Sequence, residues 1–452
     1  MNTSTASSTL ADCRGDTLSG ATPAALPHYE RAAAAFLHWR EGGETEAGAA
    51  LALAPDFTMA HVLLAWKRVS GRDPAQVRAA RPHLARAASL PANPREQLHI
   101  AALQAIVGDD FVRTQARLAE LLRIAPHDAL ALQMAHSFDH LLGDEAALLG
   151  RVEAVLPAWS QELPGYSAVL AMHAFALGEN GLHARAERVA LEALAFDPLE
   201  ARAHHAMAHV FEMTLRPQAG IRWMHEHAAA WASGSAVSRH AWWHVALYEL
   251  ACDNIDGAIV IYDEHIRAGQ PGAVGDLIDA ASLLWRLRLK GATTGHRFAE
   301  LAGAWEPHAA DAYCSFSDIH AMLAFVGAGR HRLARALETR LRQQAARPQQ
   351  RHGATTRSVG LPVIRALAAH GRGDHALVAQ LLAGLPPLAH RIGGSQAQRQ
   401  LLQLTHQHAL LHGSVQQPAS ARVWQRGAGA TSPACRAASH PAGPRSQRSI
   451  SN

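Results

Sequence analysis

Apolar residues recur along most of the chain at the three- and four-residue spacing of amphipathic helices. The clearest segment is 167–200, in which Leu170 and Leu177 lie on one face of a predicted helix. Gly181 follows this helix in a turn, and Pro198 ends a second helix because proline cannot continue one. The segment therefore predicts two helices joined by a short turn, and no strand is predicted elsewhere.

The same two-helix unit repeats along the chain. Applying its frame to the remaining sequence predicts unit starts that are 34 or 38 residues apart. These starts are Arg95, Ala129, Ser167, Ala201, Arg239, Leu277 and Ser315. Further helices are predicted in 47–90 and 361–382, and residues 396–412 predict one more helix with no recognisable partner. The pattern therefore predicts an all-α protein.

The best unit resembles a tetratricopeptide repeat, which has small residues where its two helices approach, a glycine between them and a proline at the end. Ala174, Ala186 and Ala193 occupy the small positions, and Gly181 and Pro198 match the other two. The resemblance implies an α-solenoid of tetratricopeptide-like helical hairpins, wound as a right-handed superhelix.

Longer sequence segments resemble one particular family of repeat proteins. Residues 205–212, 244–249, 258–266 and 392–399 are similar to the tetratricopeptide repeat protein 38 family, and the likeness covers 27–412. Members of that family are divergent repeat proteins. The resemblance therefore implies a fold and carries no activity with it.

Composition supports a helical protein. Hydrophobic residues make up 48% of the chain and aromatic residues 6%, and the apolar excess comes from the helix formers Ala and Leu. No run approaches the roughly 18 apolar residues of a membrane helix, and residues 1–27 lack a secretion signal. The four cysteines form no C-x-x-C pair, which excludes a cysteine zinc site. We therefore predict a cytoplasmic protein with no membrane association.

The net charge of +4 does not indicate nucleic-acid binding. Residues 375–452 contain seven arginines and no acidic residue, which leaves 35 basic and 38 acidic residues in the rest of the chain. The body is thus close to neutral and has no wide basic surface for phosphates.

Three regions follow from these patterns. Residues 1–27 are predicted to be a disordered N-terminal segment, and 28–412 the helical repeat region. Residues 413–452 are predicted to be a disordered basic tail rich in Pro, Ala, Ser and Arg, because they have no apolar period with which to bury surface. A genuine tail and a shifted reading frame are both compatible with that composition.

The first helix of each tetratricopeptide repeat lines a concave groove, so the resemblance implies which side chains point inward. The set also includes Glu179 and His244, which lie next to the inward positions. The candidate binding residues are Glu96, His99, His140, Phe175, Glu179, Arg202, His205, His209, Glu212, His240, Trp243, His244, Trp285 and Arg288. They are mostly polar, charged or aromatic, as in a recognition surface. The inner surface of a solenoid that is only solvated and binds no partner has the same composition.

The main functional prediction is a noncatalytic scaffold that binds a peptide or partner protein in this groove. The chain has no G-x-S-x-G elbow, P-loop or dinucleotide motif. No cofactor is predicted, and the sequence does not indicate an oligomeric state.

Spaced histidines provide the alternative function. His205, His209 and Glu212 follow i, i+4, i+7 spacing on one helix face, and His240 and His244 repeat the i, i+4 step one unit later. Helical zinc sites use such spacing, although packed polar residues do as well. The alternative is a metal-dependent enzyme or small-molecule binder that uses His205, His209, Glu212 and His244.

The neighbouring residues Trp242 and Trp243 test whether the repeat-unit starts have been placed correctly. If the unit starts at Arg239, Trp242 packs against the companion helix and Trp243 faces the groove, because successive helical residues point about 100° apart.

Overall fold

The computed structural model describes residues 10–413, and this range is built from helices. It contains no β-strand, only isolated bridges at Ala11–Thr17 and Arg40–Ser235. The first twelve helices are α1 (Leu26–Leu37), α2 (Gly43–Leu53), α3 (Thr58–Val69), α4 (Pro74–Ala79), α5 (Arg81–Ser89), α6 (Pro94–Val107), α7 (Phe111–Ile124), α8 (Ala129–Leu142), α9 (Glu145–Val155), α10 (Tyr166–Glu179), α11 (His183–Phe196) and α12 (Ala201–Met213).

The remaining helices include two of a single turn, α14 and α21. Their bounds are α13 (Pro217–Glu226), α14 (Ala228–Trp231), α15 (Ser238–Ala251), α16 (Ile255–Ile261), α17 (Val274–Leu289), α18 (Arg297–Trp305), α19 (Ser315–Gly327), α20 (His331–Ala345), α21 (Gly353–Thr355), α22 (Leu361–Gly371), α23 (His375–Leu382) and α24 (Gln396–His412). A π-helical turn follows α16 at Tyr262–Ile266 and another follows α21 at Thr356–Gly360, and 3-10 turns occupy Leu156–Ala158, Glu306–His308 and Pro386–Ile392.

The all-α prediction is confirmed. Helices α6, α8, α10, α12, α15, α17 and α19 begin within three residues of the predicted unit starts. Local chemistry explains three of these starts, because the side chains of Asn93, Asp128 and Glu200 accept a hydrogen bond from a backbone N–H of the first turn.

Consecutive helices pack in pairs, and the first helices of successive pairs contact one another. Helix α10 packs on α11, α12 on α13 and α15 on α16, while α10 also contacts α12, α12 contacts α15, and α15 contacts α17. Helices α12, α15 and α17 therefore lie side by side, which is the arrangement on which the site described below depends.

The N-terminal prediction of disorder is wrong for residues 10–27. Leu18 is buried, the backbone N–H of Ser19 donates to Glu96 Oε1 at 2.9 Å, and Arg95 Nη2 donates to the carbonyl of Thr17 at 3.2 Å. The segment is short of apolar residues, but it closes the end of the fold by satisfying buried polar groups on α6. Such contacts leave no periodic signal in the sequence.

Residues 396–412 have no recognisable partner in the sequence, but in the structure α24 has several. Helix α24 packs against α23 and α17 and contacts α12, while the turn before it contacts α8. Trp285 Nε1 donates to Thr405 Oγ1 at 2.9 Å, and Gln396 N donates to Glu179 Oε2 at 2.8 Å. Residues 386–412, called the inner segment below, thus cover parts of the first helices of several pairs.

Two sequence predictions concern other parts of the chain. The predicted disordered tail lies, apart from Gly413, outside the described residues. Between residues 10 and 413, no helix combines the length and the apolar character needed to cross a bilayer.

Candidate functional site

A cavity of about 830 Å³ lies among α8, α10, α12, α15 and α17. Its walls also include residues at the end of α3, the loop 232–238, and Ser395 and Gln398 of the inner segment. The volume falls within the range typical of small-molecule pockets. The cavity is therefore bounded by segments from both halves of the described chain.

Four histidines converge at this cavity, and we call them the four-histidine cluster. His205 and His209 lie one turn apart on α12, and His240 and His244 lie one turn apart on α15. His205, His209 and His240 line the cavity, whereas His244 is fully buried. One ring nitrogen from each of the four lies within 4.8 Å of the others.

The nitrogen distances in the cluster are those of ligands that share one ion. His205 Nε2 lies 3.1 Å from His209 Nε2 and also 3.1 Å from His240 Nε2. A ring nitrogen carries either one N–H or one lone pair, so His205 Nε2 can make one good hydrogen bond and not two. Two imidazole nitrogens bound at about 2.0–2.1 Å to the same ion are about 3.0–3.5 Å apart.

Burial leaves polar atoms of the cluster without partners. Neither ring nitrogen of His244 has a hydrogen-bond partner, and Nδ1 of His209 has none. Buried polar groups in folded proteins are normally satisfied, so these nitrogens lack a partner that an ion or a water molecule would supply. The structure thus contains a buried set of nitrogen donors with unused lone pairs.

Three histidines of the cluster are held in the neutral form that binds metals. Burial, followed by the neighbouring imidazoles, keeps the pKa of His205 and of His244 well below the usual value. Burial and His240 lower the pKa of His209 to about 3. Neutral imidazole is the ligating form, so no proton has to be displaced from these three rings near neutral pH.

Carboxylates lie behind two of the histidines. His240 Nδ1 lies 2.9 Å from Asp279 Oδ2, which fixes the ring with Nε2 toward the cluster. His209 Nδ1 lies 3.7 Å from Glu179 Oε1, beyond hydrogen-bond length. A carboxylate behind a ligating histidine is the usual arrangement in metal sites, because it sets the tautomer and orients the ring.

Aromatic rings hold His205 in place. Phe175 stacks on His205 with ring centroids 5.5 Å apart, and Trp39 meets His205 edge-on at 5.5 Å.

The Arg202 guanidinium lies 4.0 Å above the Trp39 ring, and its Nη2 has no hydrogen-bond partner. Burial lowers the pKa of Arg202 to about 9, which leaves it a cation at neutral pH. Arg202 therefore gives the cavity a positively charged group beside the cluster.

The structure places six of the sequence-predicted residues at this cavity and separates the others from it. His140, Phe175, Arg202, His205, His209 and His240 line the cavity. His244 lies behind the cavity wall as a member of the cluster. The remaining candidates are structural, and their roles differ.

The groove assignment of Trp243 is wrong. Trp243 is fully buried, stacks on His240 with centroids 5.3 Å apart, and lies beneath the Arg286 guanidinium at 5.5 Å. Trp242 lines the cavity instead and stacks on His265 at 3.7 Å. The repeat frame is therefore displaced on α15.

Glu212 is not part of the cluster, in which His240 takes its place. It is half-buried one turn after His209, and burial, opposed by the Arg286 charge, raises its pKa to about 7. Glu179 and Trp285 do not face an open groove either, because Gln396 and Thr405 of the inner segment hydrogen-bond to them.

The other groove candidates also have structural roles. Glu96 caps α6 through the backbone N–H of Asn93, and His99 lies between Trp66 Nε1 and Asp128 Oδ2. Arg288 packs over Trp285 with its charge 5.6 Å from the ring centroid. None of these three side chains lines the cavity.

Several cavity residues carried no usable sequence signal. Trp39 and the loop 232–238 lie in segments with no repeat frame, and Asp279 reads as an ordinary helix-start carboxylate. The one available clue is that Asp279 follows His240 by 39 residues, about one unit of the repeat.

The chain matches no protein-family model.

Proposed function

We propose that the protein is a metal-dependent small-molecule binder or enzyme, with one transition-metal ion held by His205, His209, His240 and His244. The observation that carries this proposal is that His205 Nε2 lies 3.1 Å from Nε2 of both His209 and His240, beside the unpartnered, fully buried His244. Packed polar residues would be expected to satisfy one another, and these do not.

The ligand set favours particular ions. The four donors are imidazole nitrogens, without thiolate or carboxylate. Imidazole suits zinc, copper, iron and nickel, whereas magnesium and calcium require oxygen ligands. We therefore propose an ion of the first group.

The arrangement of the donors places any further ligand on the cavity side. Four imidazoles fill the coordination of a tetrahedral zinc, so an additional ligand would require an ion that accepts five or six ligands. His244 would hold that ion from the buried side, and the three other histidines face the cavity, from which the molecule would reach it. A bound ion of this kind polarises an oxygen of the bound molecule or acidifies a water. Arg202 would bind an anionic group of that molecule through its unpartnered Nη2.

The inner segment favours this function over peptide binding in an open groove. It hydrogen-bonds to Glu179 and Trp285, two of the predicted groove residues, and leaves a cavity of about 830 Å³ that is partly open to solvent. A space of that size fits a small molecule. A peptide or protein partner stays a prediction, as does the cytoplasmic location.

We further infer that the helix pairs form a tetratricopeptide-type α-solenoid, a right-handed superhelix related to the tetratricopeptide repeat protein 38 family. The pairwise packing of α10 with α11 and the contacts among α10, α12, α15 and α17 support this inference. The solenoid would bring His205 and His240 together because they lie 35 residues apart, one repeat along the winding.

Metal content tests the proposed function. Full-length protein is stripped with a chelator, titrated with zinc by calorimetry, and analysed for bound metal after dialysis. The His205→Gln, His244→Gln double variant, called the cluster variant below, keeps only two of the four imidazoles and should bind one zinc equivalent fewer than the wild type. His204→Gln is the control, because His204 lies on the same helix α12 but contacts Trp223 and His227 instead of the cluster.

Two outcomes would contradict the proposal. One is wild-type protein that retains no zinc, copper, iron or nickel after dialysis. The other is a cluster variant that binds as much metal as the wild type while its circular dichroism is unchanged.

A further inference from the structure

A second group of histidines lies at the far end of α24, away from the cavity. His370 is in the last turn of α22, His375 begins α23, and His408 lies in the final turns of α24. One nitrogen from each lies within 4.8 Å of the other two, and His370 Nε2 is 3.3 Å from His408 Nδ1. None of these residues lines the large cavity.

The turn between α22 and α23 creates half of this arrangement. Gly373 has a left-handed φ of +76°, and the backbone N–H of Asp374 donates to the carbonyl of Ala369 at 3.0 Å. This tight turn places the end of one helix beside the start of the next. His370 and His375 therefore have ring centroids only 5.6 Å apart.

Hydrogen bonding within the group does not account for its geometry. The short contact between His370 and His408 uses one nitrogen of each ring, and Nδ1 of both His370 and His375 has no hydrogen-bond partner. His370 is buried and the two other rings are half-buried, so these nitrogens are only partly accessible to water. A shared cation would be bound by ring-nitrogen lone pairs that otherwise accept no hydrogen bond.

The surroundings keep His370 and His408 unprotonated. Burial, followed by the nearby His408 ring and the Arg288 charge, lowers the pKa of His370 to about 3, and burial together with His412 lowers the pKa of His408. The His412 ring stacks on His408 with centroids 4.2 Å apart and supports it from the next turn. The donors are again imidazoles without a carboxylate, a set that suits zinc, nickel or copper.

We propose that His370, His375 and His408 form a second transition-metal site that fastens the end of α24 to the α22–α23 pair. The site draws one ligand from each of three helices, so a bound ion links them directly. It does not depend on the four-histidine cluster, with which it shares no residue.

Zinc titration of variants that lack the first site tests this proposal. In the full-length cluster variant, one zinc equivalent should remain and raise the melting temperature. Adding His408→Gln or His375→Gln to that variant should remove the remaining equivalent and the shift in melting temperature. Both changes replace half-buried side chains, and circular dichroism checks that the helices persist.

A matched control addresses nonspecific binding to surface histidines. His61 and His83 form a pair with nitrogens 3.3 Å apart, and that pair belongs to no group of three metal-binding side chains within the described residues. His83→Gln in the cluster variant should leave zinc binding unchanged. Loss of binding in this control, or retention of zinc by the cluster variant that also carries His408→Gln, would overturn the second site.

Hydrogen exchange provides an independent readout. Zinc should slow amide exchange in the last turns of α24 in both the wild type and His244→Gln, and not in His408→Gln. Exchange that responds to zinc only when His244 is intact would assign the effect to the cavity site and overturn the proposed clamp.

Discussion

His244 and His99 are both fully buried histidines with opposite hydrogen-bond status. His99 accepts from Trp66 Nε1 at 3.1 Å and donates to Asp128 Oδ2 at 2.9 Å, whereas both nitrogens of His244 lack partners. Leaving a buried polar group unsatisfied costs about 1–3 kcal/mol. Without metal, His244 therefore lowers the stability of the fold, while His99 supports it.

This contrast predicts opposite effects of the same substitution. In chelator, His244→Leu should leave the free energy of unfolding unchanged or raise it, because it removes two unsatisfied groups. His99→Leu should lower it by about 2 kcal/mol or more, because it leaves Trp66 and Asp128 without their partner. Urea denaturation of both variants measures this, and equal losses would contradict the assignment.

The adjacent tryptophans differ in burial. Trp243 is fully buried, so Trp243→Ala should lower the free energy of unfolding by about 3–5 kcal/mol through the cavity that it leaves. Trp242 is half-buried at the cavity wall, so Trp242→Ala should cost less than half as much. Denaturant unfolding of the two single variants shows which tryptophan contributes more to the free energy of unfolding. A larger loss for Trp242 would restore the original frame of α15.

At the scale of the element, helix positions follow from local sequence and helix partners do not. The start of α8 after Asp128 and the end of α11 before Pro198 are set by neighbouring residues, and both were predictable. The partner of α24 was not, because Arg286 Nη2 reaches the carbonyl of Ala397 across 111 residues. On α15, Trp242 and Trp243 are adjacent and equally large, so the sequence did not show which of them faces the core.

The turn that introduces α24 depends on glycine. Gly393 has φ +80° and ψ −171°, a conformation essentially limited to glycine, and a Cβ there would lie 2.2 Å from the carbonyl oxygen of Leu141. Gly393→Ala should therefore lower the free energy of unfolding by about 2 kcal/mol or more. Gly384→Ala is the control, since its Cβ would meet open space. A thermal melt that does not distinguish the two variants would contradict this account.

At the scale of the molecule, contacts between distant residues hold the two halves together. Arg351 Nε donates to Asp109 Oδ1 at 2.8 Å, and Arg399 pairs with Glu145 at 2.5 Å. The histidine pairs of the cluster were visible in the sequence because each lies within one helix. Their meeting with Trp39 depends on how successive helix pairs wind, which no local pattern encodes.

The many buried neutral histidines predict sensitivity to acid. Burial lowers the pKa of His136 to about 3, so the unfolded chain takes up a proton below about pH 6.5 that the folded protein does not. The stability contributed by this group is complete above that pH and declines as the pH falls toward 3, by up to about 1.4 kcal/mol per pH unit. His136→Gln should therefore lose less stability than wild type between pH 6.5 and 5.

Urea unfolding in chelator at several pH values measures this difference. The exposed His331→Gln provides the control and should follow the wild type. Parallel pH profiles for His136→Gln and wild type would show that His136 is protonated in the folded protein as readily as in the unfolded chain.

The position of the inner segment also affects how the chain folds during synthesis. Glu179 and Trp285 acquire their partners Gln396 and Thr405 only after residues 396–405 have left the ribosome. Until then, the earlier helices expose apolar and polar surface that the finished protein covers. Contacts of such long sequence separation form late and slowly, and the waiting surface is prone to association. Chains that terminate before α24 should therefore accumulate as aggregates or chaperone-bound species.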